Sequence, residues 1–324
     1  MPSIPRPATS ALPVPRRGGV QGSNLDWPVI IAIGSMHVVA LGVFWPGLFS
    51  WSGLILAALL SWLTAGVGIT LCFHRLLTHR SFKTPKWFEY VLVLCGCLAW
   101  QGSPVTWVGV HRLHHKHSDD ALDPHSPTHG FTWAHITWTL HRKLEGIHGP
   151  DAAKDLLRDK GMRWFDRYFW LPQFVLAVGL FGVGSAIGGL TLGLSWIVWA
   201  VGLRTVFVFH GTWFVNSAAH TWGYQNYKKT GEGSTNLWWV ALLSFGEGWH
   251  NNHHAHPRSA AHGLRWFELD PTWWTIRVLS WVGLARDIYR LRQDQMPCAT
   301  PLESAKTPEI LSGSSLLSGA SKSV

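Results

Sequence analysis

Charged residues are scarce in this sequence. Asp, Glu, Lys and Arg make up only 14% of its 324 residues, whereas hydrophobic residues make up 47%. Because soluble domains contain roughly 25% charged residues, this deficit excludes an ordinary soluble protein and indicates one embedded in lipid. The 27 Lys and Arg residues outnumber the 18 Asp and Glu residues. No basic tract is long enough to favour nucleic acid, however, and we expect no nucleic-acid partner.

Cysteine is also scarce. The chain has 4 cysteines, and the closest two, Cys95 and Cys97, lack the C-x-x-C spacing of zinc sites and thioredoxin-like redox pairs. We therefore expect buried, reduced thiols. Tryptophan, by contrast, is abundant, with 22 residues. Because Trp gathers where a membrane meets water, this abundance also indicates a membrane protein.

Four apolar runs are long enough to cross a bilayer, which takes about 20 residues. The runs are residues 28–49, 51–73, 171–192 and 194–215. Arg204 is the single charge within them, and the short connections near residues 50 and 193 predict two helical hairpins. Residues 1–27 and 293–324 are rich in Pro, Ser and Gly and predict a disordered arm and a disordered tail. Residues 28–292 are then one membrane domain.

Basic residues indicate how the spans are oriented. Residues 1–27 hold 3 Lys and Arg, residues 74–170 hold 13 and the chain after residue 215 holds 10, whereas the two hairpin connections hold none. Because Lys and Arg are retained on the cytosolic side, both termini and the segments 74–170 and 216–292 are expected in the cytosol. The sequence thus predicts an all-α, multi-pass integral membrane protein with four transmembrane helices and a helical cytosolic cap.

Histidines are clustered in the predicted cap. The segments H-R-L-H-H at 111–115 and H-N-N-H-H at 250–254 each carry three His at positions i, i+3 and i+4. Residues at this spacing share one face of a helix. His74 and His79 follow the second span, and we expect the helix to end or bend between them so that both reach one site. The candidate metal ligands are His74, His79, His111, His114, His115, His220, His250, His253, His254 and, beyond the fourth span, Asn216.

Nine imidazoles and one amide are too many for one metal ion. They suit two five- or six-coordinate ions of the first row, so we interpret them as a dinuclear centre with iron as the redox-active choice. Structural zinc needs fewer ligands and usually Cys. A His-rich membrane metal transporter is an alternative from another class, but its ligands would lie near the bilayer midplane. We expect His37 and His210 to be packing residues, whereas the candidates for contacts behind the ligands are His117, His125, His129, His256 and His262.

The order and spacing of these segments resemble the three histidine boxes of membrane fatty-acyl desaturases of the stearoyl-CoA desaturase type. H-R-L-L-T-H at 74–79 resembles the first box, and N-S-A-A-H at 216–220 resembles the family's additional motif, in which the His binds metal and the Asn acts through a water. The resemblance covers about residues 27–292. It implies a di-iron enzyme that uses O2 and two electrons to introduce a cis double bond, usually at Δ9, into a saturated acyl chain. General acid or base catalysis cannot do this, because the methylene C–H bond has no useful acidity.

Four further residues match the substrate positions of that family. Gln101 and Trp107 match positions that line or orient the bent acyl chain, and Arg142 and Lys143 match a basic pair that contacts the phosphates of CoA. Acyl-CoA members carry Arg-Asp immediately before the second box, where this chain has Gly-Val at 109–110. Because both nucleotide contacts are missing, we favour an acyl chain esterified to a membrane glycerolipid over acyl-CoA.

Electrons must also reach the centre. No cytochrome b5-like pattern follows residue 292, so we expect a separate donor, and the basic cytosolic balance suits an acidic one such as ferredoxin better than cytochrome b5. Within the same chemistry, a membrane di-iron hydroxylase or ketolase is the alternative. The first-box spacing and the 216–220 motif favour desaturation.

Overall fold

The computed structural model describes residues 24–120, 122–142, 149–228 and 232–296. This part of the chain is helical, and its only β pairing is a few isolated bridges, such as the one between Leu25 and His141. The all-α prediction is therefore confirmed for the described residues. Most of the predicted arm and tail, 1–23 and 297–324, lies outside them.

Within the described residues, three continuous helical stretches are long and apolar enough to cross a membrane: Trp27–Phe44, Trp51–Thr78 and Leu171–His220. The first starts with Pro28 in its first turn and is capped by Asp26, whose carboxylate accepts a hydrogen bond from the Val29 amide at 3.4 Å. Ser50 caps the second in the same way, accepting from the Gly53 amide at 3.0 Å. Capping side chains satisfy amides that have no partner inside the helix.

The stretch Leu171–His220 is not one straight rod. Gly188 and Gly189 have non-helical backbone angles, with φ of −134° and 75°. A Cβ added to Gly184 would lie 3.0 Å from the Cα of Gly193, although nine residues of straight helix span about 13.5 Å. The chain therefore reverses at this pair of glycines. The hairpin connection predicted near residue 193 lies instead inside the predicted third span, where glycine alone allows the positive φ without strain.

The second stretch changes its winding as it approaches the cap. From Trp62 to Thr78 it is a π-helix, and the amide of His79 donates to the carbonyl of His74 at 3.1 Å. This i to i−5 bond defines π-helical winding. The helix ends at Thr78, as expected from the need to bring both histidines to one site. The wider winding carries His79 back towards the face of His74.

Shorter helices form the rest of the described chain and fold over the end of the long ones. Gly68 lets the helix Lys86–Cys97 approach the π-helix closely, since a Cβ there would lie 2.5 Å from the backbone of Cys95. The helices are α1 Trp27–Ala40, α2 Trp51–Ser61, α3 Lys86–Cys97, α4 Pro104–His117, α5 Phe131–His135, α6 Gly149–Ala152, α7 Lys160–Tyr168, α8 Leu171–Trp196, α9 Arg204–Ser217, α10 Trp238–Leu243, α11 His250–Ala255 and α12 Pro271–Trp281. A second π-helix is Ile197–Leu203, and 3₁₀ turns are Leu41–Phe44, Pro46–Leu48, Pro127–His129, Thr137–Leu140, Leu156–Arg158, Ala218–His220 and Gln293–Gln295.

Candidate metal centre

All nine predicted histidines converge into two groups. Within each group, the ligand nitrogen atoms lie within 4.8 Å of one another. The five-histidine group is His74, His79, His111, His115 and His253. The four-histidine group is His114, His220, His250 and His254.

Each histidine trio divides between the two groups. On α4, His111 and His115 belong to the five-histidine group, whereas His114 belongs to the four-histidine group. On α11, His253 belongs to the first group and its neighbour His254 to the second. Residues three and four apart share a face but differ in direction by tens of degrees, so one helix can serve two adjacent sites.

The Nε2 atoms of the imidazoles face one another. In the five-histidine group, His253 Nε2 lies 3.0 Å from His74 Nε2 and 2.8 Å from His115 Nε2. In the four-histidine group, the Nε2 atoms of His250 and His254 are 3.0 Å apart. These separations are as short as hydrogen bonds. Whether two rings form a hydrogen bond or direct two lone pairs at each other therefore depends on which ring nitrogens carry hydrogen.

Carboxylates fix that protonation, because several of them lie against the other ring nitrogen, Nδ1. A carboxylate accepts a proton donor and so places the hydrogen on Nδ1, leaving a lone pair on Nε2. The pairs are His74 with Glu247 at 2.7 Å, His114 with Asp123 at 2.9 Å, His220 with Asp119 at 3.0 Å, and His254 with Glu232. Converging lone pairs repel one another unless a cation lies between them.

The donor set therefore fits metal ions. A metal–nitrogen distance of about 2.1 Å places neighbouring ligand nitrogens about 3 Å apart, in agreement with the Nε2 spacing. His79 Nε2 is buried and has no hydrogen-bond partner among the described residues. Burial, together with neighbouring imidazoles, lowers the pKa of His111, His115 and His253 well below the usual value. These rings stay neutral at physiological pH, as metal ligation requires.

Sequence reasoning missed the four carboxylates. Asp119 and Asp123 closely follow the histidine trio at 111–115, and Glu247 precedes the trio at 250–254 by three residues. This proximity was the only signal, and it does not reveal which ring each carboxylate meets. Asp119, for example, contacts His220 from a backbone with φ of 62°. No sequence pattern predicted this conformation.

A buried arginine holds one of these carboxylates. Arg75 Nη2 donates to Glu247 Oε1 at 3.1 Å, and Arg75 Nη1 donates to Asp270 Oδ2 at 2.9 Å. Burial alone would raise the pKa of Glu247, but its interactions with His74, His262 and Arg75 lower it well below its usual range. Glu247 is therefore a carboxylate that can accept from both His74 and His262, the latter at 3.1 Å. His262 thus contacts the carboxylate that lies behind the predicted ligand His74, as the sequence analysis expected.

An apolar cavity of about 480 Å³ reaches the centre. Aromatic and aliphatic residues dominate its wall, from Pro28 and Val29 on α1 to His111 on α4 and Asn216 on α9. A smaller cavity of about 40 Å³ touches both histidine groups and shares Asn216 with it. The structure thus places the predicted ligand Asn216 between the large cavity and the imidazoles.

The predicted substrate residues differ in position. Gln101 and Trp107 line the large cavity, and Trp107 Nε1 donates to Gln101 Oε1 at 3.2 Å. Arg142 is exposed beside the cavity-lining His141 but is not among the described residues of the cavity wall. Lys143 lies outside the described residues.

Of the Gly-Val pair at 109–110, Val110 lines the cavity and Gly109 packs against α6. Gly109 is buried, and a Cβ there would lie 1.7 Å from the carbonyl oxygen of Gly149. α6 therefore packs directly on the backbone of α4, and Gly109 has no space for a side chain. Val110 contributes an apolar surface to the cavity wall.

His37 and His210 are more than packing residues. Their Nε2 atoms are 3.3 Å apart, and His210 Nδ1 lies 3.0 Å from Nε2 of His135. Three imidazoles in contact with one another in sequence, those of His37, His210 and His135, therefore connect α1, α9 and α5. None of these three belongs to either histidine group.

Long apolar helices, clustered neutral imidazoles and an apolar cavity beside them define a membrane metalloenzyme for a lipid chain. The fatty acid desaturase family model matches residues 49–280. A sn-1 stearoyl-lipid 9-desaturase of Anabaena variabilis is 48% identical over 265 residues, which cover 82% of this chain and 94% of that protein. A sn-2 palmitoyl-lipid 9-desaturase of Nostoc sp. (strain 36) is 44% identical over 278 residues, 85% of this chain and 93% of that protein. An icosanoyl-CoA 5-desaturase of Limnanthes douglasii is 45% identical over 253 residues, 77% of this chain and 68% of that protein.

The chain therefore belongs to the fatty acid desaturase family. It is an oxidoreductase of an iron-dependent family, and the resemblance inferred from the histidine segments is confirmed. The relatives named above are desaturases, which favours this function over the hydroxylase, ketolase and metal-transporter alternatives.

Proposed function

We propose that this protein is a membrane di-iron acyl-lipid desaturase that forms a cis Δ9 double bond in a saturated chain esterified to a glycerolipid. One observation carries the proposal: Val110, immediately before His111, contributes an apolar side chain to the wall of the cavity that ends at His111 and Asn216, and Gly109 packs against Gly149 with no space for a side chain. These two positions offer neither a cation nor a carboxylate to a nucleotide headgroup.

Relatives support the lipid-linked substrate and the bond position. Two of them are named for desaturation of stearoyl-lipid and palmitoyl-lipid at position 9. Identity alone does not separate the substrate classes, because the icosanoyl-CoA 5-desaturase is 45% identical. The uncharged Gly109–Val110 pair is the feature that favours the lipid.

The ligand assignment follows from the two groups. The five-histidine group would hold one iron ion, and the four-histidine group with Asn216, through a water, would hold the other. When bound, the two ions supply the redox chemistry with O2 that an unactivated methylene pair requires. Glu247, Asp123, Asp119 and Glu232 orient the imidazoles and keep the hydrogen on Nδ1.

The cavity positions the acyl chain and keeps water away from it. Its apolar wall binds the acyl chain through burial of hydrocarbon surface, and the bonded pair Gln101 and Trp107 fixes the wall next to His111. A flexible chain reacts at one carbon pair only if the site holds that pair in place. The residues of the chain thus bind and orient the substrate, and they exclude water.

For the membrane topology we retain four spans, with both termini and the metal centre in the cytosol. The distribution of Lys and Arg supports this orientation, and the reversal at Gly188 and Gly189 supports two separate spans within Leu171–His220. Membrane lipid then surrounds the spans and supplies the substrate. The electron donor is a separate acidic protein such as ferredoxin, attracted by the basic cytosolic face.

Expression in a host without its own desaturase tests the function. We expect a double bond at position 9 to appear in intact glycerolipid before it appears in acyl-CoA. His111→Ala should abolish the product. His117→Ala is the matched control, because His117 lies on the same helix outside both histidine groups. First appearance in acyl-CoA, or a product that has gained oxygen, would overturn the proposal.

The donor proposal has its own test. Turnover with purified ferredoxin should slow as salt is raised, because screening at physiological ionic strength limits attraction to about 8 Å. Turnover with ferredoxin that is insensitive to salt contradicts electrostatic attraction. It leaves the desaturase proposal intact.

A further inference from the structure

Arg204 is a charged residue in an otherwise uncharged apolar segment. It is the first residue of α9, and its side chain is only 1% exposed. Charged residues inside membrane spans are rare and usually have a functional partner. Arg204 does not line the acyl cavity and belongs to no metal group of the described chain, so its role lies elsewhere.

The guanidinium group of Arg204 connects three elements through neutral acceptors. Nη1 donates to the carbonyl oxygen of Leu98 at 2.7 Å, and Nη2 donates to Gln173 Oε1 at 2.8 Å. Nε donates to the carbonyl oxygen of Ala200 at 3.1 Å. Among the ion pairs of the described residues, none involves Arg204. The planar guanidinium group donates hydrogen bonds in fixed directions and can bind three such acceptors at once, whereas a single ammonium group cannot.

Leu98 is where α3 ends and the cavity wall begins. It is the C-cap of α3, and the next residues, Trp100, Gln101 and Gly102, line the acyl cavity. Trp100 has a φ of 60° and Gly102 a φ of 98°. A positive φ is unfavourable for Trp, so this turn keeps its shape only through the contacts that hold it. The Leu98 carbonyl bonded to Arg204 is one of those contacts.

The same turn is connected to the metal centre. Gln101 accepts from Trp107 Nε1 at 3.2 Å and donates through Nε2 to Thr212 Oγ1 at 2.8 Å. The Trp107 ring stacks on His111, with ring centroids 5.2 Å apart and planes inclined by 24°. Contacts therefore run without a gap from Arg204 through Leu98, Gln101 and Trp107 to a proposed iron ligand.

We propose that Arg204 is a positioning residue that determines which carbon pair of the acyl chain lies beside the metal centre, and hence where the double bond forms. It acts by fixing the Leu98–Gly102 turn relative to His111, without touching the substrate. A shift of this wall by one methylene changes the carbon pair presented. The inference rests on the proposed desaturation of a chain bound in this cavity, but not on the nature of the headgroup.

The test compares double-bond position in wild type, Arg204→Gln and Arg204→Lys, expressed in a host without its own desaturase. Gln removes both the positive charge and the guanidinium group that donates to three acceptors, whereas Lys keeps only the charge. We expect Arg204→Gln to place at least about a tenth of its product at neighbouring carbon pairs, a discrimination of about 1.4 kcal/mol at that limit. Arg204→Lys should show a smaller shift of the same kind. A residue that only stabilises the fold would lower the amount of product and leave its position unchanged.

Gln173→Met is the matched control. It removes one acceptor of Arg204 and leaves the bond to Leu98, so we expect the wild-type bond position even if less protein accumulates. The inference is wrong if Arg204→Gln and Arg204→Lys both yield product at the wild-type position only, or if Gln173→Met shifts the position as much as Arg204→Gln. If Arg204→Gln does not accumulate in the membrane, the Arg204→Lys result decides alone. Failure of the proposed function would appear in the wild type itself, through the lipid class or position of its product.

Discussion

His74 Nδ1 lies 2.7 Å from Glu247 Oε2, which joins the end of the second long helix to the residues just before α11. Arg75, the next residue after His74, donates to the other oxygen of the same carboxylate at 3.1 Å. The carboxylate is therefore held from two sides and cannot rotate away from the ring. This contact keeps the hydrogen of His74 on Nδ1 and directs Nε2 into the five-histidine group.

Replacing Glu247 by Gln should weaken metal binding. The amide accepts through one oxygen only and cannot serve Arg75, His74 and His262 together, so the imidazole of His74 is no longer fixed. Loss of such a contact behind a ligand typically costs about 10–100-fold in metal affinity. Iron content after competition with a chelator measures it. Glu89→Gln, which alters a surface pair with Lys86, should retain wild-type iron, and retention of iron by Glu247→Gln would contradict the role.

Removing a ligand from one group should affect that group first. His250→Ala disrupts the four-histidine group and leaves all five members of the other. We expect about one iron per chain instead of about two, because imidazole ligands are needed for each first-row ion. Metal analysis of purified protein measures this ratio. Two tightly bound ions in His250→Ala would refute the division of ligands between the groups.

The metal-free protein should lose stability in mild acid. Burial lowers the pKa of His125 to about 3, whereas an unfolded His has a pKa of about 6.5. Between these values the unfolded chain binds a proton that the folded chain does not, so stability falls as the pH is lowered from 6.5 towards 3. The buried rings of His111, His115 and His253 act in the same direction. Thermal unfolding in detergent should show a lower midpoint at pH 5 than at pH 7, and an unchanged midpoint would contradict the burial of neutral imidazoles.

Gly109 should not tolerate a side chain. In Gly109→Ala the Cβ would lie 1.7 Å from the carbonyl oxygen of Gly149, so α6 must move away from α4. Overpacking of this kind typically costs about 1–3 kcal/mol. Gly179→Ala is the control, since a Cβ there has nothing within 4 Å, and in a helix it should be neutral or stabilising. Thermal unfolding compares the two, and equal midpoints would mean that α6 can move away from α4 at little cost.

Much of the architecture could be read from short-range patterns. Apolar runs predicted the long helices, and the i, i+3 and i+4 spacing predicted that the histidines of α4 and α11 would act together. These features depend on the local geometry of a helix, which the sequence encodes directly. The same patterns placed the hairpin turn near residue 193, whereas the structure has it at Gly188 and Gly189. Hydropathy alone does not show where an apolar run turns, and the adjacent glycines at 188–189 were the local signal for this turn.

Only the tertiary structure decided how the ligands are divided and what holds them. His111 and His114 stand on one helical face in the sequence, yet they belong to different groups, because the partners that complete each group arrive from the 3₁₀ turn Ala218–His220, from α11 and from the end of the π-helix. Asp119, Glu232 and Glu247 come from turns and loops whose positions depend on contacts far apart in the chain. The sequence by itself determined the proposed ligand set and the chemistry it implies. The protonation of each ring, and the wall that presents the acyl chain to it, follow from burial and from side chains distant in sequence.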